Sequence, residues 1–126
     1  MSKTVVTSEN APKAVGPYSA GIATGELVFL SGQLGLDPQT GKLAEGVVEQ
    51  AKQSLANIGA LLESQGLSYD NVVKTTVLLA DIADFAQVNE VYASCFSEPY
   101  PARSCFAVKD IPMGGLVEIE VVAVRG

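Results

Sequence analysis

Leu116-Val117-Glu118-Ile119-Glu120-Val121-Val122-Ala123-Val124 alternates with a period of two: Val117, Ile119, Val121 and Ala123 fall on one face, Glu118 and Glu120 on the other. That period belongs to a strand with one face in a core. Upstream, Ala102-Arg103-Ser104-Cys105-Phe106-Ala107-Val108 divides the same way, with Ser104, Phe106 and Val108 on one side and Arg103, Cys105 and Ala107 on the other. Pro112-Met113-Gly114-Gly115 lies between the segments, so they read as two strands joined by a short turn. If the apolar sets face the core, Arg103, Cys105 and Glu118 all project from the opposite side.

Working back along the chain, Val47, Ala51, Leu55, Ile58 and Leu62 recur at spacings of four, four, three and four, which predicts an amphipathic helix with Gly66 at its C-terminal end. Asn71 to Ala80 is β-branched and strand-like. Asp81 or Asp84 caps a second helix, whose stripe is Phe85, Val88, Tyr92 and Cys95 and which Pro99 and Pro101 end. Near the N-terminus, a Val5-Val6 piece, an extended segment from Gly16-Pro17-Tyr18 to Ala23, a hairpin turn at Thr24-Gly25-Glu26 and a strand Leu27–Ser31 stopped by Gly32 complete the pattern. The order predicts an α+β fold: one sheet with two helices packed on one face.

The chain has 126 residues, the length of a single domain spanning 1–126. Apolar residues make up 48% and charged residues 17%, a balance tilted toward burial that points to a partner subunit over part of the surface. The net charge of −6 argues against binding a phosphate backbone. With no histidine there is no imidazole base or ligand, and Cys95 and Cys105 have no zinc-type spacing, so no metal is expected, and no nucleotide fingerprint appears. The absence of a membrane-length apolar run and of a leader pattern fits a cytoplasmic protein with free thiols.

Of the two arginines, Arg125 is next to the C-terminus and Arg103 sits inside a strand. An arginine there is costly unless something anionic meets it. It either grips a ligand or forms a structural ion pair with Glu118 or Glu120. A face that is partly apolar yet carries this polar trio is most simply covered by another subunit, with the trio lining a cleft at the interface. Glu118 is the acid/base candidate beside Arg103, with Glu120 its competitor. Cys105 has no histidine to activate it and reads as a small filler whose backbone orients a ligand. Cys95 lies on an apolar helical stripe and reads as core. Ser31 ends a strand beside Gly32, where a ligand can approach the backbone, and supplies a hydrogen bond. Tyr18 is either packing or pocket wall, and Asn89 falls off the main stripe of the second helix, exposed or cap-like.

Gly16-Pro17-Tyr18-Ser19, Ser31-Gly32-Gln33, Phe85-Ala86-Gln87-Val88-Asn89 and above all Pro101-Ala102-Arg103-Ser104-Cys105 continuing to Val117-Glu118-Ile119-Glu120 resemble the motifs of the RidA/YjgF family of enamine/imine deaminases, nearly end to end. The resemblance implies a chorismate-mutase-like fold and a homotrimer with one site at each subunit interface. It implies cofactor-free hydrolysis of 2-aminoacrylate and 2-iminobutanoate, small anionic imino acids, to 2-oxoacids and ammonia. It implies Glu118, Arg103 and Cys105 as the catalytic set, and Arg103, Cys105, Tyr18, Ser31, Gly32 and Asn89 as the substrate-binding set. The stretch Ser97-Glu98-Pro99-Tyr100 is shorter than in many members and bears on the pocket rim. The rival readings are a non-catalytic 2-oxoacid binder, or the chaperone or ribonuclease role of some relatives.

Overall fold

The computed structural model describes residues 2–126. It contains the strands β1 (Thr4–Val6), β2 (Gly21–Thr24) and β3 (Leu27–Leu34), helix α1 (Gly46–Ser64), β4 (Val72–Leu79), α2 (Phe85–Cys95), β5 (Ala102–Ala107) and β6 (Val117–Val124), in the expected order. The six strands form one sheet in the order β1-β2-β3-β6-β4-β5. β4 and β5 are parallel, and β6 runs antiparallel to both β3 and β4. β3, β4 and β5 therefore share one direction, and α1 and α2 are the crossovers between them. Crossovers of one hand between strands of one direction fall on one side of a sheet. α1 packs against β3, β6 and α2 on that side.

The core lies between this side and the helices. The α1 stripe of Val47, Ala51, Leu55, Ile58 and Leu62 is buried as its spacing predicts, and meets Val28, Leu30, Val77, Leu79, Val117, Ile119 and Val121 from the sheet. Gly66 takes φ 72° just beyond α1, the left-handed conformation of a helix end, and donates to the Glu63 carbonyl at 2.9 Å. At α2, the Asp81 side chain accepts from the Ala83 amide at 2.9 Å, opening a short turn of 3-10 helix, whereas Asp84 precedes α2 without a side-chain cap.

Two expectations are corrected, the end of β3 and the faces of β5, and the strand neighbours that the sequence left open are resolved. β3 runs through Gly32 to Leu34, with a register shift between Leu30 and Gln33, because an irregularity absorbs the glycine. β5 and β6 are not neighbours: β4 lies between them and pairs with both. The faces of β5 are also the reverse of the expected ones. Arg103 and Cys105 pair in register with Thr75 and Val77, which are buried on the helix side, while Glu118 pairs with Leu78 on the bare side. Phe106 points away from the helices and is 49% exposed.

Candidate functional site

Arg103 rises from the edge strand β5 onto the helix side and is received by α2. Phe85, Asn89 and Tyr92 stand at positions i, i+4 and i+7 of that helix, a spacing that puts them on one stripe. Arg103 Nη1 donates to Asn89 Oδ1 at 2.8 Å. The guanidinium carbon lies 4.7 Å from the Tyr92 ring centroid and 5.5 Å from that of Phe85. Among the described residues the recorded salt bridge is Lys52–Glu49, so Arg103 is oriented by an amide oxygen and two rings, with no carboxylate cancelling its charge. Cys105, two residues on, packs partly into the core. Burial pushes its thiol up, against a smaller downward pull from Arg103, which disfavours a thiolate nucleophile.

Glu118, Tyr18, Ser31 and Gly32 come together elsewhere, around a cleft of about 420 Å³ that Lys13, Leu34 and Met113 also line. The Glu118 side chain lies over Gly32, and Tyr18 is 53% exposed beside it. Burial first, and the like charge of Glu120 second, hold the Glu118 carboxyl above its ordinary value. Ser31 Oγ donates to the Ser19 carbonyl at 2.6 Å and its amide to Ala20 at 2.9 Å. Its proton is thus engaged in tying the Tyr18 loop to β3, leaving its lone pairs for a ligand. Glu120 is exposed, in a larger groove of about 700 Å³ across the bare side of the sheet that Lys3 and Lys74 also line.

The expected residues therefore gather into two sets. Asn89, Arg103 and Cys105 lie at the α2–β5 edge; Tyr18, Ser31, Gly32 and Glu118 lie around the cleft on the other side. The expectation that Arg103, Cys105 and Glu118 project from one face is overturned, and so is a pairing of Arg103 with Glu118 or Glu120 within one chain. Two interstrand spacings and three residue rises separate the Cα atoms of Arg103 and Glu118 by on the order of 14 Å, with side chains on opposite faces. The chemistry of the two sets is complementary: one presents a cation without a carboxylate partner, the other a carboxyl held above its ordinary value.

Sequence reasoning missed the aromatic support of Arg103. Phe85 and Tyr92 lie on the second helix's apolar stripe and were expected in its core, yet Phe85 is 38% exposed. The signal that could have exposed them is the i, i+4, i+7 spacing with Asn89 on a helix leading into the arginine strand.

The family model described as endoribonuclease L-PSP matches residues 8–125. The chain is 50% identical to the 2-iminobutanoate/2-iminopropanoate deaminase of Capra hircus, over 97% of this chain and 90% of that protein. It is 49% identical to the protein of the same name from Salmonella typhimurium, over 99% of both chains. Its fold matches the crystal structure of Escherichia coli TdcF with bound serine at a TM-score of 0.93 and 42% identity, covering 98% of this chain and 99% of that one.

Proposed function

This chain belongs to the endoribonuclease L-PSP family, which takes in the RidA/YjgF deaminases, and from that premise we propose that it hydrolyses reactive 2-enamino and 2-imino acids to 2-oxoacids and ammonia without a cofactor. The observation that carries the reading is the pair of half-sites: an unneutralised guanidinium on one face and a carboxyl of raised pKa in a cleft on the other.

Such a substrate is a carboxylate beside an imine carbon. Arg103 takes the carboxylate through two parallel hydrogen bonds while Asn89 holds the remaining arm of the guanidinium. Capture is local because a chain of net charge −6 repels anions at a distance. Glu118 takes a proton from water as it adds to the imine carbon and passes it to nitrogen. It then takes the hydroxyl proton of the tetrahedral adduct and passes it to the amine, which leaves as ammonia while the carbonyl forms. A carboxyl held above its ordinary value by burial suits both tasks. An enamine first takes a proton from the neutral Glu118 carboxyl at its terminal carbon, becoming the iminium and leaving a carboxylate. That carboxylate recovers a proton from nitrogen to give the imine, or from the water that adds to the iminium. Tyr18 and Gly32 wall the cleft, and the Cys105 backbone orients the substrate.

The half-sites meet only if two copies do. Arg103 of one protomer faces the Glu118 cleft of the next, a head-to-tail contact that closes into a ring. We read the assembly as a chorismate-mutase-like homotrimer with three such sites, a reading that the family resemblance supports. The exposed apolar residues Val5, Leu27, Phe29 and Phe106 and the groove across the bare sheet supply a surface for it. No helix is long and apolar enough to cross a membrane, and the free thiols Cys95 and Cys105 suit the reducing cytoplasm.

The test generates 2-iminobutanoate in situ with a threonine dehydratase and follows 2-oxobutanoate release. This protein accelerates release, and Arg103→Ala abolishes the acceleration. Binding of 2-oxobutanoate with no acceleration between pH 6 and 9 replaces the enzyme by a 2-oxoacid binder.

A further inference from the structure

We propose that Tyr92 is a positioning residue for the Arg103 guanidinium, anchored from behind by Thr75; the role rests on the reading that Arg103 grips the substrate carboxylate. The Tyr92 ring is the nearer of the two aromatic faces, at 4.7 Å from the guanidinium carbon. Unlike Phe85 it is buried, 5% exposed. Its hydroxyl shares a buried 2.8 Å hydrogen bond with Thr75 Oγ1. Thr75 is fully buried on β4 and is the register partner of Arg103 itself. The ring also packs against Phe96, with centroids 4.5 Å apart. The ring is therefore fixed by the strand next to the one that carries the arginine.

That arrangement has a chemical consequence. A guanidinium has a face and a planar fork of five N–H donors. The Tyr92 ring lies against the guanidinium and Asn89 takes one donor, and no carboxylate among the described residues pairs with it, so its remaining donors stay free for a substrate carboxylate. A carboxylate in the supporting position would cancel the charge the ligand needs. Tyr92 acts on the alignment of the fork, and so on substrate capture more than on the chemical step.

The test compares Tyr92→Leu, Tyr92→Phe and Thr75→Val in the assembled protein. Ring-current shielding of the Arg103 guanidinium protons, assigned by their loss in Arg103→Ala, is the first readout and needs no activity. The shielding persists in Tyr92→Phe and falls in Tyr92→Leu to the smaller value that the Phe85 ring at 5.5 Å supplies alone. With 2-iminobutanoate made in situ, Tyr92→Leu raises KM about tenfold with kcat within about twofold, and Tyr92→Phe recovers most of the loss. Unmoved resonances in Tyr92→Leu, or equal KM in Tyr92→Leu and Tyr92→Phe, overturn the proposal. If wild-type protein hydrolyses no imine, the deaminase reading falls while the resonances still decide whether Tyr92 holds Arg103. If Tyr92→Leu does not fold, Thr75→Val decides: it keeps the ring, removes the anchor and partly deshields the same protons, and an unchanged spectrum overturns the proposal.

Discussion

The Glu118 carboxylate covers Gly32 so closely that a Cβ at residue 32 would stand 2.5 Å from Glu118 Oε2. Gly32 does not take a positive φ; its value is the space it leaves for the carboxylate. Gly32→Ala pushes aside the far end of a flexible side chain and leaves the backbone alone. We expect kcat/KM to fall roughly tenfold to a hundredfold, as displaced catalytic groups do, with a melting temperature within about 3 °C of wild type. Full activity in the variant would show that the carboxylate need not sit where it does.

Asn89 holds Arg103 through a single 2.8 Å hydrogen bond. Asn89→Ala loses that orientation and keeps the charge, so KM for 2-iminobutanoate rises about tenfold. Arg103→Lys keeps the charge and loses the fork, and costs about a hundredfold in kcat/KM. Steady-state kinetics with the coupled dehydratase separate the two. Equal activity of Arg103→Lys and wild type would reduce the role of Arg103 to that of a point charge.

Burial and Glu120 raise the Glu118 carboxyl, so the folded protein keeps this proton over a pH range in which the unfolded chain has released it. Stability from this group is complete below the ordinary glutamate value and is lost as pH rises through the folded value. Glu118→Gln removes the titration. Its melting temperature relative to wild type is therefore higher at pH 7 than at pH 4, while kcat falls at least about a hundredfold. A pH-independent difference in melting temperature would contradict the raised carboxyl.

Asn57, fully buried in α1, donates to the Leu34 carbonyl at 3.2 Å and the Leu36 carbonyl at 2.9 Å, just beyond the bulge that carries Gly32. Asn57→Ala orphans both acceptors and costs about 2 kcal/mol in urea unfolding. A loss under about 0.5 kcal/mol would mean that the end of β3 is held by other contacts.

The elements were readable because their periods are strong: β6 alternates without interruption from Val117 to Ile119 to Val121, and α1 repeats at four, four, three and four. The orientation of β5 was not. Alternation says which residues share a face, not which face is inside. In an edge strand where five of the six residues are exposed, apolarity does not break the tie. Phe106 drew its side inward on paper, yet α2 supplies Arg103 with two rings and an amide, a stronger claim on the helix side. The separation of β5 from β6 was equally hidden, since a short connection suggests pairing and only the whole sheet shows β4 between them. The buried polar residues of α1 escaped for a related reason. Ser54 and Asn57 satisfy carbonyls at the end of β3, and Gln50 accepts from the Leu116 amide at 2.8 Å, partners that exist only once the chain has folded. The motifs singled out the residues of both clusters, but a motif does not say that Arg103 and Glu118 fall on opposite faces of the sheet.

Mixing two inactive variants tests the central claim most directly. Arg103→Ala keeps the Glu118 half-site and Glu118→Gln keeps the Arg103 half-site. Refolded together at equal concentration, they assemble at random, and a site built from neighbouring protomers regains both groups about one time in four. The account predicts recovery of about a quarter of wild-type deaminase activity from two preparations that have almost none alone. A mixture as inactive as its components would contradict it, because the guanidinium and the carboxyl would then not be shared across an interface.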